Sequence, residues 1–325
     1  MKNKAQYFAL CMGFFALKIH LDAQPERQFD LRPNTVKNYN EINSVEIKKS
    51  FNEINTPDSL NSDLGIQRPV DSKDKGFGYH FGFETKISHS NNPASVESGI
   101  YKTSAGIWEN SIRNNFLLGA YDLGGASFSP ILTFSYMKFN HFGDDLFETF
   151  DFDSLGLSFS GIFQFSNGWN LRPNLSFNAD LNPNESLERQ YSQFAPALSL
   201  GKSFSLNPVQ AFLEWSIAYN FTNTAYTAGT ADDLMNRFET SIVGGLIVPF
   251  GGFEFSPMLR FAFIDYSNID RNDFLGNLSI QLQYAFTDWF KVKFQANSSL
   301  RNSSLNKMDF NKLDTGIGAS LDARF

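Results

Sequence analysis

Apolar and polar side chains alternate along most of the chain after residue 76. In the last stretch, residues 313–325, the odd positions are apolar or small and the even positions are polar or glycine. A two-residue period places alternate side chains on opposite faces of a strand. This stretch is therefore predicted to be a strand with one apolar and one polar face. An ordinary amphipathic edge strand is the alternative.

Eleven earlier runs show the same period. They span Phe77–Ile87, Arg113–Tyr121, Ala126–Met137, Leu155–Phe165, Trp169–Leu181, Phe194–Gly201, Val209–Phe221, Phe238–Phe250, Phe253–Phe263, Phe274–Phe286 and Phe290–Ala296. The second and sixth of these runs have the weakest alternation. Together with the last stretch, they predict about twelve antiparallel strands.

The connections between the runs alternate in length. Short ones lie at 122–125, 166–168, 203–208, 251–252 and 287–288, and mostly longer polar ones, such as 88–112, 138–154 and 222–237, lie between them. Short turns on one rim and long loops on the other are typical of an up-and-down membrane barrel. A soluble β-sandwich, the alternative, would require neither this alternation nor an apolar face on every strand. We predict an all-β fold: a transmembrane antiparallel up-and-down β-barrel over residues 77–325.

The composition supports strands over membrane helices. Aromatic residues make up 16% of the chain, with 36 Phe, yet the mean hydropathy is −0.27. No internal run approaches the roughly 18 apolar residues that a membrane helix requires. The net charge of −7 and the sequence pI near 5.2 argue against a nucleic-acid partner.

The first 76 residues differ from the rest. Residues 1–23 have the basic start and apolar run of a secretory signal peptide. Their removal takes away a net charge of +2, which changes −7 to −9, and also the one cysteine, Cys11. The mature chain can then form no disulfide and no thiolate metal site. Residues 24–76 are polar and poor in aromatics, and we predict a disordered, flexible periplasmic extension. A segment that plugs the barrel lumen is the alternative.

The non-apolar face of the strands is predicted to line the lumen, because unpaired polar groups in hydrocarbon are very costly. Acids and bases are mixed on this face, so no charge filter of a single sign is visible. The candidate lumen-lining residues are His80, Glu84, Arg172, Asn174, Asn178, Glu214, Glu254, Arg260, Lys291 and Lys293.

Two further features concern the ends of the strands. Aromatic residues at the short-turn ends, such as Trp169 and Trp289, are placed where an interfacial girdle is expected. A recurring frame puts a proline near the same ends, at Pro130, Pro173 and Pro257. Proline cannot donate to a ladder, and a closed barrel has no edge. We therefore predict bulges at these prolines, and kinks that open a lateral gap are the alternative.

Little catalytic chemistry is visible. His80 is two strand periods from Glu84, and His141 is near an acidic cluster that comprises Asp144, Asp145, Glu148, Asp151 and Asp153. Oxygen ligands of this kind can hold Ca²⁺, but the spacing lacks a calcium-loop frame. We predict no catalytic residue, no metal site and no cofactor.

The repeated alternation, the turn asymmetry, the signal peptide and the terminal Phe325 resemble bacterial outer-membrane β-barrels of the porin-like class. The Phe-rich strands and Asn-rich loops are similar to those of Bacteroidetes barrels. The resemblance implies the outer membrane of a Gram-negative bacterium, with membrane lipid and the barrel-insertion machinery as partners and Phe325 as the assembly signal. It also implies a channel for small solutes. The alternatives are an envelope anchor, adhesin or assembly partner and, less favoured, an outer-membrane enzyme.

Overall fold

The computed structural model describes residues 77–95, 97, 103–143, 147, 150–183, 188–206, 208–224 and 235–324. The predicted signal peptide at 1–23, the predicted extension at 24–76 and Phe325 lie outside these residues. No helix in the described part of the chain is both long and apolar enough to cross a membrane.

Twelve long strands and one very short strand make up the fold. The strands are β1 (Gly78–Ser90), β2 (Ala105–Leu117), β3 (Tyr121–Asp122), β4 (Ala126–Phe142), β5 (Phe152–Phe165), β6 (Trp169–Asn182), β7 (Glu188–Leu206), β8 (Val209–Thr224), β9 (Arg237–Phe250), β10 (Phe253–Tyr266), β11 (Arg271–Ala285), β12 (Phe290–Ser303) and β13 (Phe310–Arg324). A short 3-10 turn, Asn306–Met308, precedes β13.

Each long strand pairs antiparallel with the next, and the last strand pairs with the first. Strands β2 and β4 also pair directly, and the two-residue β3 only extends the β4 edge. Strand β13 is joined to β1 by eleven residue pairs, from His80 opposite Arg324 to Ser90 opposite Asp314. The sheet is thus a closed ring, and the predicted all-β barrel of about twelve strands is confirmed.

The two faces of the ring differ in character. On β6, Leu175 and Phe177 of one face are 49% and 45% exposed, whereas Arg172 and Asp180 of the other face are 3% and 2% exposed. The same contrast recurs around the ring, with large apolar side chains exposed on one face and polar side chains buried on the other. The exposed face is the outside of the barrel, and the buried polar face is turned toward its axis.

The outer face also satisfies its own polar groups. The indole nitrogen of Trp108 donates to Oγ1 of Thr85 at 3.1 Å, and that of Trp215 donates to Oγ1 of Thr240 at 3.0 Å. Each bond joins neighbouring strands on the outside. A tryptophan whose N–H has a partner within the wall needs no water, which suits these residues to an apolar surrounding.

One end of the barrel carries the short connections. The turn at 166–168 closes with the amide of Gly168 donating to the carbonyl of Phe165 at 3.1 Å, and the φ of 83° at Gly168 is one that glycine adopts without strain. Aromatic side chains cluster at this end; the rings of Phe250 and Phe253 stack at 5.6 Å. Both ends of the ring-forming chain, Gly78 and Arg324, also lie here.

The predicted bounds were misplaced for one strand and too short for several others. The bounds of the run Arg113–Tyr121 were wrong, because β2 begins eight residues earlier and ends at Leu117. Its outer face includes Asn110 and Asn114, which break the alternation there. Several strands also continue toward the long-loop end beyond the predicted runs, where polar residues occupy both faces.

The prolines are accommodated without bulges. Around Pro173, Pro196 and Pro257, two consecutive residue pairs are missing on one side of the strand, and the register is unchanged beyond them. Pairing on the other side continues through each proline. The one register shift among the described pairs lies elsewhere, between Asp180 and Leu181. Pro130 likewise lies opposite Gly161 with no shift in register. The prediction of bulges at Pro130, Pro173 and Pro257 was therefore wrong, and the paired residues that flank each proline keep the ring closed.

Candidate functional site

The structure places the ten candidate lumen residues on the inner face of the sheet. Their strands are β1, β6, β8, β10 and β12. The side chains of His80, Glu84, Arg260 and Lys291 are between 16% and 22% exposed, while those of Arg172 and Lys293 are at most 5% exposed. Asn174, Asn178 and Glu254 are half-buried, and Glu214 is buried.

Strands β1, β12 and β13 form a charged region of the inner face at the seam where the ring closes. The Nζ of Lys293 donates to Oε2 of Glu84 at 2.7 Å. Near the short-turn end, Asp322 lies 3.4 Å from Nε2 of His80 and 3.3 Å from Nζ of Lys291. The charges of these two groups therefore face one another across the wall.

Further ion pairs continue around the inner face. Lys86 of β1 pairs with Glu109, its direct neighbour on β2. Arg260 of β10 pairs with Glu239 of β9 at 2.5 Å. Since each cation has an anion on an adjacent strand, these groups are held against the wall.

Two of the pairs reach across an intervening strand. Glu84 and Lys293 lie on β1 and β12, on either side of β13. Gly318 of β13 is opposite Lys293 and two positions before Ser320, which is opposite Glu84. Arg172 and Glu214 lie on β6 and β8 and pair across β7, where Gly201 faces Glu214. Strands two apart are separated by about 10 Å. Glycine on the strand between leaves space for both long side chains to meet.

Sequence reasoning missed a buried cluster near the long-loop end of β10–β13. Arg271 binds Asp273 through two bonds, of 2.9 and 2.5 Å, and its guanidinium lies 4.4 Å from the Tyr266 ring centre. Arg301 lies 3.9 Å from the same carboxylate and stacks 4.4 Å from the ring of Phe310. The two-residue spacing of Arg271 and Asp273 was the available signal. Both residues precede the apolar run that begins at Phe274, so they lay outside the predicted strand.

A second missed cluster lies on the neighbouring strands β7–β9. The side-chain amide of Gln193 donates to Asn220 at 2.6 Å and accepts from Tyr191 at 2.8 Å and Arg237 at 3.3 Å. All four side chains are buried. These two clusters fix the inner wall at the end opposite the short turns.

The ring is closed, its outer face is apolar, and many of the polar groups of its inner face are paired with one another. Exposure of such an outer face to water is unfavourable. In a bilayer the exposed apolar face is favourable, and the closed ring provides the internal pairing of backbone groups that lipid requires. The protein is a transmembrane β-barrel. The lumen of this barrel is the candidate functional site.

Comparisons with known proteins return barrels of the same kind at low similarity. An outer membrane channel from Pseudomonas putida F1 is 11% identical with a TM-score of 0.48, over 79% of this chain and all of that one. The NanC porin is 9% identical with a TM-score of 0.42, over 74% and 98%. The translocator domain of the autotransporter NalP from Neisseria meningitidis is 8% identical with a TM-score of 0.37, over 78% and 90%. No protein-family model and no curated protein matches the sequence.

His141 and His80 have structural partners. The ring Nδ1 of His141 lies 3.0 Å from Asp151, whose carboxylate also accepts the His141 backbone amide at 2.7 Å. His80 contacts Asp322 and Asn115, whereas Glu84 pairs with Lys293. Three members of the acidic cluster, Asp144, Asp145 and Glu148, lie outside the described residues. Within the part of the chain that the structure describes, no group of three His, Cys, Asp or Glu side chains is placed to hold a metal.

Proposed function

We propose that this barrel is a narrow outer-membrane channel for small polar solutes. The observation that carries the proposal is the inner face, where buried polar and charged side chains outnumber buried apolar ones such as Ile131 and Ile162. A path of this kind replaces part of the hydration of a passing solute. In this proposal the short turns face the periplasm and the long loops face the cell exterior.

The number of strands and the buried lining make the channel narrow. About eight strands close around their own side chains and about sixteen leave an open pore, so twelve is intermediate. Several lining side chains, such as Arg172, Lys293 and Glu109, are 5% exposed or less. We therefore expect a low conductance. Because cations and anions pair on the wall, the channel should discriminate only weakly between K⁺ and Cl⁻.

A matched pair of variants tests this in planar bilayers. Lys293→Gln removes a positive charge and Glu84→Gln removes its negative partner, so reversal potentials under a KCl gradient should shift toward cation preference for the first and anion preference for the second. The recordings use the mature chain, with and without residues 24–76. Stepwise conductance with opposite shifts supports the channel. Absence of conductance from both forms of the chain would contradict it.

An anchor, adhesin or assembly partner is the second candidate function. The observation that favours it is the dense pairing of the lumen side chains, which stiffens a barrel that need not conduct. The bilayer recordings separate the two candidates. In this second function, the proposed signal peptide at 1–23 directs export, and the proposed extension at 24–76 is the segment that binds envelope partners.

Phe325 remains a prediction as the assembly signal. It follows β13, whose pairing with β1 closes the ring, and an open ring leaves backbone groups unsatisfied in lipid. Deletion of Phe325 is expected to lower the membrane-inserted fraction strongly and leave secretion unchanged, with Phe325→Tyr as the control. Heat-modifiable migration in detergent gels measures the folded fraction. If the deletion variant inserts as well as the tyrosine variant, Phe325 is not an assembly signal.

A further inference from the structure

The inner face of the barrel has two unlike walls. Strands β9–β13, β1 and β2 carry most of its charged side chains, among them Lys86, Glu109 and Lys293, which are buried. On β4 and β5, the inward positions between residues 127 and 135 and between 154 and 164 are uncharged. Two buried charges on β6 lie close to this second wall: Arg172, which is paired with Glu214 of β8, and Asp180, which lies opposite Ser154.

The uncharged wall consists mainly of hydroxyl and amide groups on small side chains. Thr133, Ser158 and Ser176 face one another across β4, β5 and β6 in a single row. Asn174 and Asn178 flank this row on β6. We call these five residues, with Ser199 of β7, the hydroxyl wall. All six are half-buried, whereas Lys86, Glu109 and Lys293 are buried.

The chemistry of the hydroxyl wall selects a class of solute. Hydroxyl and amide groups both donate and accept hydrogen bonds without carrying charge. Such groups can exchange hydrogen bonds with the hydroxyls of an uncharged polyol as it moves past. The charged wall offers ions little, because cations such as Lys293 and Arg260 are already paired with the carboxylates of Glu84 and Glu239.

We propose that the solute path of this channel follows the hydroxyl wall and that it conducts uncharged, hydroxyl-rich solutes such as small sugars. This inference rests on the proposed channel function and names its substrate class. The path is off-centre, since the small side chains of β4–β6 leave more room than the long paired side chains opposite. Bulky side chains on the hydroxyl wall therefore obstruct the path.

Liposome swelling in isotonic arabinose, beside KCl conductance of the same preparations, tests the inference. The variant Ser158→Phe/Ser176→Phe fills the hydroxyl wall, and Leu157→Phe adds the same ring one residue away on the outer face. The first should lower the swelling rate on the order of tenfold, because pore width sets passage. Leu157→Phe should leave the swelling rate unchanged. Heat-modifiable migration confirms that each variant is folded. If the double variant does not fold, Ser158→Phe alone replaces it, and the swelling rate is again expected to fall relative to Leu157→Phe.

The outcomes separate this inference from the proposed function. Loss of arabinose swelling in Ser158→Phe/Ser176→Phe, with normal rates for Leu157→Phe, supports the hydroxyl wall as the path. Swelling of the double variant at the wild-type rate overturns the inference and leaves the channel intact. So does a wild-type protein that conducts KCl and excludes arabinose. A wild-type protein that passes neither overturns the channel itself.

Discussion

A Gly316→Ala variant is expected to lose most of its folded, membrane-inserted population. Gly316 lies on the inner face of β13 opposite Ser88 of β1. A Cβ atom at Gly316 would lie 2.7 Å from the carbonyl oxygen of Ile87 and 2.7 Å from Cβ of Ser88. Both atoms belong to the partner strand at the seam. The clash can be relieved only if the two strands move apart.

The cost of this separation is large because of where it occurs. Overpacking typically costs about 1–3 kcal/mol in a well-packed site. At the seam it also opens the ring, and each backbone group left unpaired in lipid costs several kcal/mol. Gly318 meets a similar restriction, since its Cβ would lie 2.9 Å from the carbonyl of Thr85. A Gly316→Ala/Gly318→Ala variant should therefore be worse than either single change.

Gly82 provides a control on the same seam. It also faces inward, on β1, but an added Cβ would meet its nearest neighbour, the carboxylate of Asp322, at 3.6 Å. This is ordinary van der Waals contact, so Gly82→Ala should fold normally. The measurement is the fraction that migrates as the folded form in unboiled detergent gels. Equal folded fractions for Gly316→Ala and Gly82→Ala would show that the close approach at Gly316 does not limit closure.

The second large effect is expected at the buried pair of Arg172 and Glu214. In Glu214→Gln the Arg172 guanidinium, 3% exposed, loses its carboxylate partner. Breaking a buried ion pair on one side costs about 3–5 kcal/mol, whereas replacing both members with apolar residues is often nearly neutral. Glu214→Gln should therefore lower the free energy of unfolding far more than Arg172→Met/Glu214→Leu does.

The pair of Arg260 and Glu239 is the matched comparison. Its side chains are 19% and 12% exposed, so water compensates part of a lost partner. Glu239→Gln should cost clearly less than Glu214→Gln. Urea-induced unfolding in vesicles, followed by tryptophan fluorescence, gives both values. A cost for Glu214→Gln no greater than that for Glu239→Gln would contradict the assigned burial of the Arg172 pair.

The sequence was sufficient for the architecture because the membrane and the lumen impose opposite requirements on alternate residues. Wherever the outer face meets lipid, alternation is strict, as on β6 from Trp169 to Phe177. It failed on β2, where Asn110 and Asn114 occupy the outer face. The predicted runs also ended too early at the long-loop end. There the strands extend beyond the lipid, so alternate residues no longer have to be apolar.

The candidate site was less accessible to sequence reasoning. Alternation gave the face of each lumen residue but could not give its partner. The pairing of Arg172 with Glu214 depends on the register of three successive strands, and that of Glu84 with Lys293 depends on how the two ends of the chain meet. Neither register follows from residue type. Gly201 acquires its role only when β6, β7 and β8 are in register, and Gly318 only when β13 meets β1.

The closure of the ring also dictates an order of events in folding. Every ladder except one joins strands that follow each other in the chain, and the exception brings His80 beside Arg324, 244 positions later. The hairpins are therefore local and form early, whereas closing a loop of this length costs about 5 kcal/mol of chain entropy. The slow step is the last one, when β13 meets β1. Until that moment the nascent barrel has two exposed edges, and a chain truncated before residue 310 has no means of covering them.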